Sequence, residues 1–337
     1  MDHAAEVQVP AVPAAGCPKR MIIGPCGGVR ADGQCEVIPA PCVFDEPVAW
    51  REPVAAVPLR ATPLVLTDFT SEPFSVPMLR AVAAVLAPAC DAVLVGEHHN
   101  RPDFPPVLLA ALLSEAGVRP WITLACRDRN RVVLEQELIG LRHIGIDAVM
   151  CVTGDARGAD VRPDVSQVFD LDGPRLAARA AGLGLPAVVP EAPAAPPHSR
   201  RGFRLAQKQR AGAAAAVLNH ASAARVAEFM ADAAAAGVTI PVLAAVAVFT
   251  DTRSATVLRG LPGLDLDPEA VRAVLGDPDP VRAGIAAAAR EARALLAIPG
   301  VAGVNLSGLA SGRGYEFAAA VKAEVAGLIR AEAGHGR

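Results

Sequence analysis

Aromatic residues are scarce in this chain, at 4% of 337 residues, and tyrosine occurs once. Few rings are therefore on hand for a planar ligand to stack on; the candidates are Phe69, Phe74, Phe203 and Phe249. Positive charge is also short. Lys plus Arg number 32 against 35 Asp plus Glu, a formal net charge of -3, which excludes a nucleic-acid partner held mainly by phosphate contacts. No run of about 18 or more strongly apolar residues occurs, so no transmembrane helix and no membrane partner are expected. The opening stretch MDHAAEVQVPAVPAAG has acidic residues and no basic n-region. No secretory signal is expected there, and the setting expected for the seven cysteines is a reducing cytoplasm.

Hydrophobic residues make up 52% and charged residues 20%, enough to bury a large core. The composition changes near residue 60. Residues 1–60 are rich in Pro, Gly and Cys, show no sustained period, and read as a small Cys-rich module. Residues 61–337 alternate short β-branched runs with alanine-rich helical stretches, the pattern of βα units around a parallel sheet.

Strands are predicted at 62–67, 91–95, 119–125, 147–152, 185–189, 214–218, 240–248 and 301–306. Helices are predicted at 76–87, 104–116, 130–144, 174–183, 203–211, 222–236, 268–297 (broken by Pro280) and 315–333. The alanine run at 214–218 is the weakest strand, because alanine carries no β preference. Gly117, Gly145, Gly184 and Gly237 stand where helices should stop. Eight such units suit an α/β fold of the (β/α)8 TIM-barrel type, typically about 250 residues. A doubly wound open sheet is the rival, but no G-x-G-x-x-G follows the first strand; the chain there reads Asp68-Phe69-Thr70-Ser71. The proline-rich stretch 190–199 reads as a loop.

In a barrel, catalytic residues lie where the strands end. Those ends are polar throughout: Asp68, then Glu97-His98-His99-Asn100, Cys126-Arg127-Asp128-Arg129-Asn130, Thr153-Gly154-Asp155, Glu191, Asn219-His220, Thr250-Asp251, and Asn305 with Ser307. Asp68, Asp128, Asp155, Glu191, Asn219 and Asn305 are expected to line one mouth. Arg201, Arg204 and Lys208 fall on one face of a helix, suited to a phosphate or a carboxylate. Arg127, Asp128, Arg129 and Arg131 suit either a ligand site or an ion-pair network knitting the strand-end loops.

In the N-terminal module Cys17, Cys26, Cys35 and Cys42 are separated by eight, eight and six residues among glycine-rich turns. Four thiolates complete a tetrahedral zinc site, and a metal staple suits a segment too short to build a core. An iron–sulfur cluster is the rival occupant. Cys90, Cys126 and Cys151 lie on or beside strands and read as buried small hydrophobes.

The run Cys126-Arg127-Asp128-Arg129-Asn130-Arg131, followed by Gly140-Leu141, Gly145-Ile146 and Cys151-Val152-Thr153-Gly154-Asp155, resembles the methylenetetrahydrofolate reductases, in particular a bacterial branch with an RDRN stretch. The cysteine segment is similar to a Cys-rich module of that family, usually C-terminal but here placed before the barrel. The resemblance implies a TIM barrel with FAD at the strand ends. Hydride would pass from NADH or NADPH to 5,10-methylenetetrahydrofolate, giving 5-methyltetrahydrofolate. It implies cofactor contacts at Arg127, Asp128, Asn130, Thr153, Gly154, Asp155, Arg204 and Lys208, with Asp155 beside the flavin and Lys208 near its diphosphate. Asn219 takes the place of a glutamine that hydrogen-bonds folate and nicotinamide.

The departures concern the acid. Where the family ends its first strand in a glutamate, this chain has Asp68, with Glu72-Pro73 just beyond; either carboxyl is a candidate. After the second strand, Gly96-Glu97-His98-His99-Asn100 replaces a Thr-Asp-Asn stretch. Three readings follow: a folate oxidoreductase, a related barrel acting on another one-carbon carrier, or a non-catalytic metal-binding subunit of a larger complex. A homo-oligomer or a partner subunit is compatible with each.

Overall fold

A computed structural model describes residues 16–44, 46–98, 100–157, 162–260 and 266–335. Among the described residues the strands are β1 (Val65–Phe69), β2 (Ala92–Val95), β3 (Pro120–Ala125), β4 (Ala148–Val152), β5 (Ala187–Glu191), β6 (Ala213–Leu218), β7 (Val242–Val248) and β8 (Val301–Gly308). They pair in sequence order, all parallel, and β8 closes on β1. The helices are α1 (Val76–Leu86), α2 (Pro106–Glu115), α3 (Arg131–Ile144), α4 (Gly173–Gly182), α5 (Arg201–Arg210), α6 (Ala223–Ala235), α7 (Thr252–Arg259), α8 (Pro268–Leu275), α9 (Pro280–Leu296) and α10 (Tyr315–His335). The chain is a TIM barrel, as the alternation of βα units predicts.

Local signals set the helix ends. Asn130, Asp172, Ser222 and Asp251 each cap a helix by accepting a backbone N–H from inside its first turn. Gly117, Gly145, Gly184 and Gly237 all take positive φ, between 76° and 84°, the left-handed stop that glycine adopts without cost. The predicted helix 268–297 is two helices, broken by Gly276 and restarted with Asp279 as N-cap and Pro280 in the first turn. Helix α7 was not anticipated.

Two layers of core follow from strand alternation. One face of the strands packs on the helices, with Val65, Leu124, Val149, Val189 and Val246 among the fully buried side chains. The other face fills the barrel with Leu66, Trp121, Met150, Val188, Val217 and Leu243. Cys90, Cys126 and Cys151 are buried as expected, and burial pushes the Cys151 thiol well above its ordinary range. Among the described residues no helix is long and apolar enough to cross a membrane.

The Cys-rich segment contains turns and one isolated antiparallel bridge, Gln34 to Pro41. Some of its buried apolar residues rest on the barrel. Ile22, Ile23 and Trp50 pack on Ala178 of α4 and on Ala211 just past α5. Polar clamps add to this: Ile22 N–H donates to Asp172 (3.0 Å), Arg175 to the Arg20 carbonyl (2.7 Å), and Trp50 N–H to Gln207 (2.8 Å).

Candidate functional site

Strand parity carries polar groups into the mouth. In β1, Leu66 fills the barrel and Asp68 stands two residues further toward the open end; in β6, Val217 is followed in the same way by Asn219. On β8, Asn305 and Ser307 face inward. Asp68, Thr123, Asp155, Asn219, His220, Asn305 and Ser307 thus line one cavity of about 270 Å³ over an apolar floor of Leu94, Met150 and Val217. A cavity of about 240 Å³ shares Val152, Asp155, Pro190 and Asn219 with it, and is walled by Lys19, Cys26, Gly27 and Gly28 of the Cys-rich segment. The expected grouping of Asp68, Asp155, Glu191, Asn219 and Asn305 is therefore present across the two joined cavities. Asp128 lies in a neighbouring pocket with Arg129 and Arg157.

Asp68 is held on every side. Its Oδ1 accepts from Asn305 Nδ2 and its Oδ2 from Ser307 Oγ, both at 2.8 Å, and its backbone carbonyl accepts from Lys322 Nζ at 2.8 Å. The amide nitrogen of Asn305 only donates, whereas the Ser307 hydroxyl donates or accepts. Oδ1 thus faces a group that only donates, and Oδ2 one that can also accept. Glu72, the alternative acid, is exposed on the loop after β1 and lines neither cavity.

Beneath the second cavity lies a buried charge cluster. Glu191, at the end of β5, accepts from Arg204 (2.8 Å) and pairs with Lys208 (2.9 Å) and Arg201 (3.5 Å). All four side chains are buried. Burial raises the Glu191 carboxyl, but the three cations outweigh it and hold the group well below the usual carboxylate range. Burial, reinforced by Arg204, pushes the Lys208 ammonium down to about 7 against the pull of Glu191. Three cations around one anion leave positive charge in surplus; arginine holds its proton throughout, so the surplus bears on Lys208.

The other residues named from sequence divide between the site and the scaffold. Thr153, Gly154 and Asp155 edge the second cavity. Gly154 has φ +91°, and a Cβ there would meet the Arg127 Cβ at 3.0 Å. Arg127 donates to Asp128 (3.0 Å) and to the Asp155 carbonyl (3.1 Å), and Asp128 also accepts from Arg157 (2.9 Å). Partial burial raises the Asp128 carboxyl, and these guanidinium bonds bring it below its ordinary value. Arg129 pairs with Glu97 (2.7 Å), and Arg131 with Glu135 (2.8 Å). The RDRN stretch is thus an ion-pair network, and Asn130 is the cap of α3, outside both mouth cavities. His98 faces Asp103 at 3.4 Å; His99 lies outside the described residues.

Sequence reasoning missed Lys19, Lys322 and the His220–Glu291 pair (2.5 Å). Lys19 is buried against Glu36 on the wall of the second cavity. It follows Cys17-Pro18, a signal read only for its cysteine. Lys322 sits on a helix with no local mark to set it apart.

The fit of the implied cofactors is uneven. Phe69 and Phe249 are core residues, Phe74 and Phe203 are exposed, and none of the four lines a mouth cavity. A ring bound there meets Leu94, Met150, Val152, Pro190 and Val217, not an aromatic face. Arg204 and Lys208 reach the second cavity already paired with Glu191. Cys17, Cys26, Cys35 and Cys42 line one small, mostly apolar pocket. Cys26 Sγ lies 3.2 Å from Glu36 Oε1, however, and among the described residues no group of three or more His, Cys, Asp or Glu stands ready to hold a metal ion. The four thiols are a soft donor set on one pocket.

Residues 7–55 match the family model described as "Methylene-tetrahydrofolate reductase C terminal". The resemblance read from the cysteine segment is borne out by this match. A search of curated proteins gives no sequence match. Among solved structures, the chain is similar to an uncharacterized protein from Clostridium thermocellum that binds two copies of 5-methyl-5,6,7,8-tetrahydrofolic acid. The TM-score is 0.58 at 10% identity, covering 80% of this chain and 96% of that one. At that identity the likeness is one of fold.

Proposed function

We propose that this chain is a methylenetetrahydrofolate reductase-like oxidoreductase, which converts 5,10-methylenetetrahydrofolate to 5-methyltetrahydrofolate with NADH or NADPH as donor. The observation that carries the reading is the mouth itself. A carboxyl held in place by Asn305 and Ser307, that of Asp68, shares a cavity with Asp155 and Asn219, beside a segment that matches a reductase-associated family. The folate-binding neighbour of the same fold supports folate as the ligand class.

In this reading the Asp68 carboxyl delivers a proton to N10 of the folate. The C–N10 bond of the imidazolidine ring breaks, and the methylene carbon is left as an iminium on N5. A hydride then adds to that carbon, the nicotinamide is oxidised, and solvent returns the proton to Asp68. If bound, FAD would supply a hydride carrier between donor and folate. Thr153, Gly154 and Asp155 would flank it, and Lys208 with Arg204 would face its diphosphate. Asn219 orients the folate, and the Asp155 carboxylate biases the electrostatics of the site. The cysteine pocket is proposed as a structural zinc site; metal analysis of fresh protein separates zinc from an iron–sulfur cluster, which would colour the protein brown.

The test separates the two half-reactions. General acid catalysis typically contributes about 10²–10⁴-fold. Asp68→Asn is expected to lower folate reduction by that order and to spare oxidation of the nicotinamide by an artificial acceptor. An equal loss in both half-reactions contradicts the acid role.

A further inference from the structure

Lys322 places a charge where the fold is apolar. It is 2% exposed on α10, and its neighbours one turn away on the same face are Ala318, Ala319, Val325 and Ala326, all buried in the core. An ammonium is costly to bury unless it is paired. Among the described residues its one hydrogen bond goes to a neutral acceptor, the backbone carbonyl of Asp68, at 2.8 Å. Burial pushes the ammonium down from its ordinary value, and the charge of Asp68 pulls it back up. The carbonyl it holds lies where the ladder between β1 and β8 stops. Thr67 opposite Leu306 is the last pair there, while on the other edge Asp68 and Phe69 still pair with β2. Past that point side chains hold the strand end: Asn305 and Ser307 on the Asp68 carboxyl, and Lys322 on its main chain.

We propose that Lys322 is a positioning residue for the acid, its buried ammonium pinning the Asp68 main chain at the end of the ladder so that the carboxyl meets the folate in one orientation. This rests on the folate reading above. Methionine would fill nearly the same space with no charge to bury, so packing alone does not call for a lysine there. The one feature that the ammonium serves is the residue that carries the acid. A small displacement of a catalytic group is enough to slow a reaction, and the substrate is bound by other residues of the mouth. The loss of Lys322 therefore falls on turnover and not on binding.

The test is a double-mutant cycle on the full chain, with urea unfolding and steady-state folate reduction measured for Lys322→Met, Asp68→Asn and the pair. Lys322→Met is expected to leave the urea midpoint unchanged or higher. Its kcat is expected to fall about tenfold, a part of what a general acid contributes, with KM for 5,10-methylenetetrahydrofolate within about twofold. In the Asp68→Asn background the acid is already gone, so adding Lys322→Met is expected to change kcat by less than about twofold. A methionine variant that does not fold, a lower urea midpoint, or the same tenfold loss in both backgrounds makes Lys322 a structural residue and overturns the proposal. An unchanged kcat in Lys322→Met overturns it as well. Each of those results leaves the folate reading standing, whereas an unaltered chain that reduces no folate overturns both.

Discussion

Arg201 Nη2 donates to the carbonyl of Cys26 at 3.0 Å, joining residues 175 positions apart. The same guanidinium donates to the Pro25 carbonyl (3.3 Å) and to the Ala195 carbonyl (2.9 Å), and faces Glu191. The turn that carries Cys26 is thus seated on the charge cluster under the barrel mouth. Without Arg201, buried carbonyls lose their donor, at about 1–3 kcal/mol each. Arg201→Met is expected to open residues 16–60 to limited proteolysis at least tenfold faster, with the barrel's far-UV circular dichroism retained. Unchanged cleavage would show that the apolar contacts of Ile22, Ile23 and Trp50 hold the segment unaided.

Glu191 is the only carboxylate within bonding distance of Arg201, Arg204 and Lys208 among the described residues. Glu191→Gln keeps the shape and leaves the buried Arg201 and Arg204 guanidiniums without an anion. Breaking a buried pair in this way typically costs about 3–5 kcal/mol. Urea unfolding is expected to show a loss of that order; a loss under about 1 kcal/mol would mean that water reaches the cluster.

The Lys208 ammonium, pushed down to about 7 by burial and by Arg204, gives stability a pH slope. An unfolded lysine keeps its proton to about 10.5. Above pH 7 the unfolded chain therefore holds more protons than the folded one, and stability rises with pH from there. Between pH 6 and pH 8 the unfolding free energy of the native protein is expected to rise relative to that of Lys208→Met. Parallel curves for the two proteins would contradict the shift. An anion that needs charged Lys208 is expected to bind more tightly at pH 6 than at pH 8.

Asp155 is exposed at the junction of the two cavities. Asp155→Asn removes a charge and little volume. It is expected to slow hydride transfer in stopped-flow traces while leaving flavin retention within about threefold, roughly 0.6 kcal/mol. Loss of flavin at an unchanged rate would make Asp155 a binding group.

Most of the barrel was legible because each unit announces itself locally. β-branched runs marked most strands and caps and stops marked helix ends, and even the alanine run formed β6, Ala213–Leu218. There, burial between two neighbouring strands supplies what alanine lacks in β preference. Helix α7 carried its own signal, a capping box of Asp251 and Ser254, overlooked in a short segment. The site was legible in part. Parity and strand ends located Asp68, Asp155, Asn219 and Asn305. The partners that give them meaning lie far off in sequence: Asn305 is 237 positions from Asp68, and Lys322 is 254. The RDRN stretch shows the opposite limit. Its spacing suited a ligand site or a scaffold equally, and only the positions of Glu97, Glu135 and Arg157 distinguish the two.

The most direct test is product formation. Purified chain is incubated anaerobically with 5,10-methylenetetrahydrofolate, FAD and NADH or NADPH, and 5-methyltetrahydrofolate is followed by mass spectrometry, with a donor deuterated at the transferred position. The account predicts 5-methyltetrahydrofolate that depends on the chain, falls by about 10²–10⁴-fold in Asp68→Asn, and carries the label in its methyl group if hydride passes without exchange. Folded, metal-replete protein that forms no 5-methyltetrahydrofolate with either donor would contradict it.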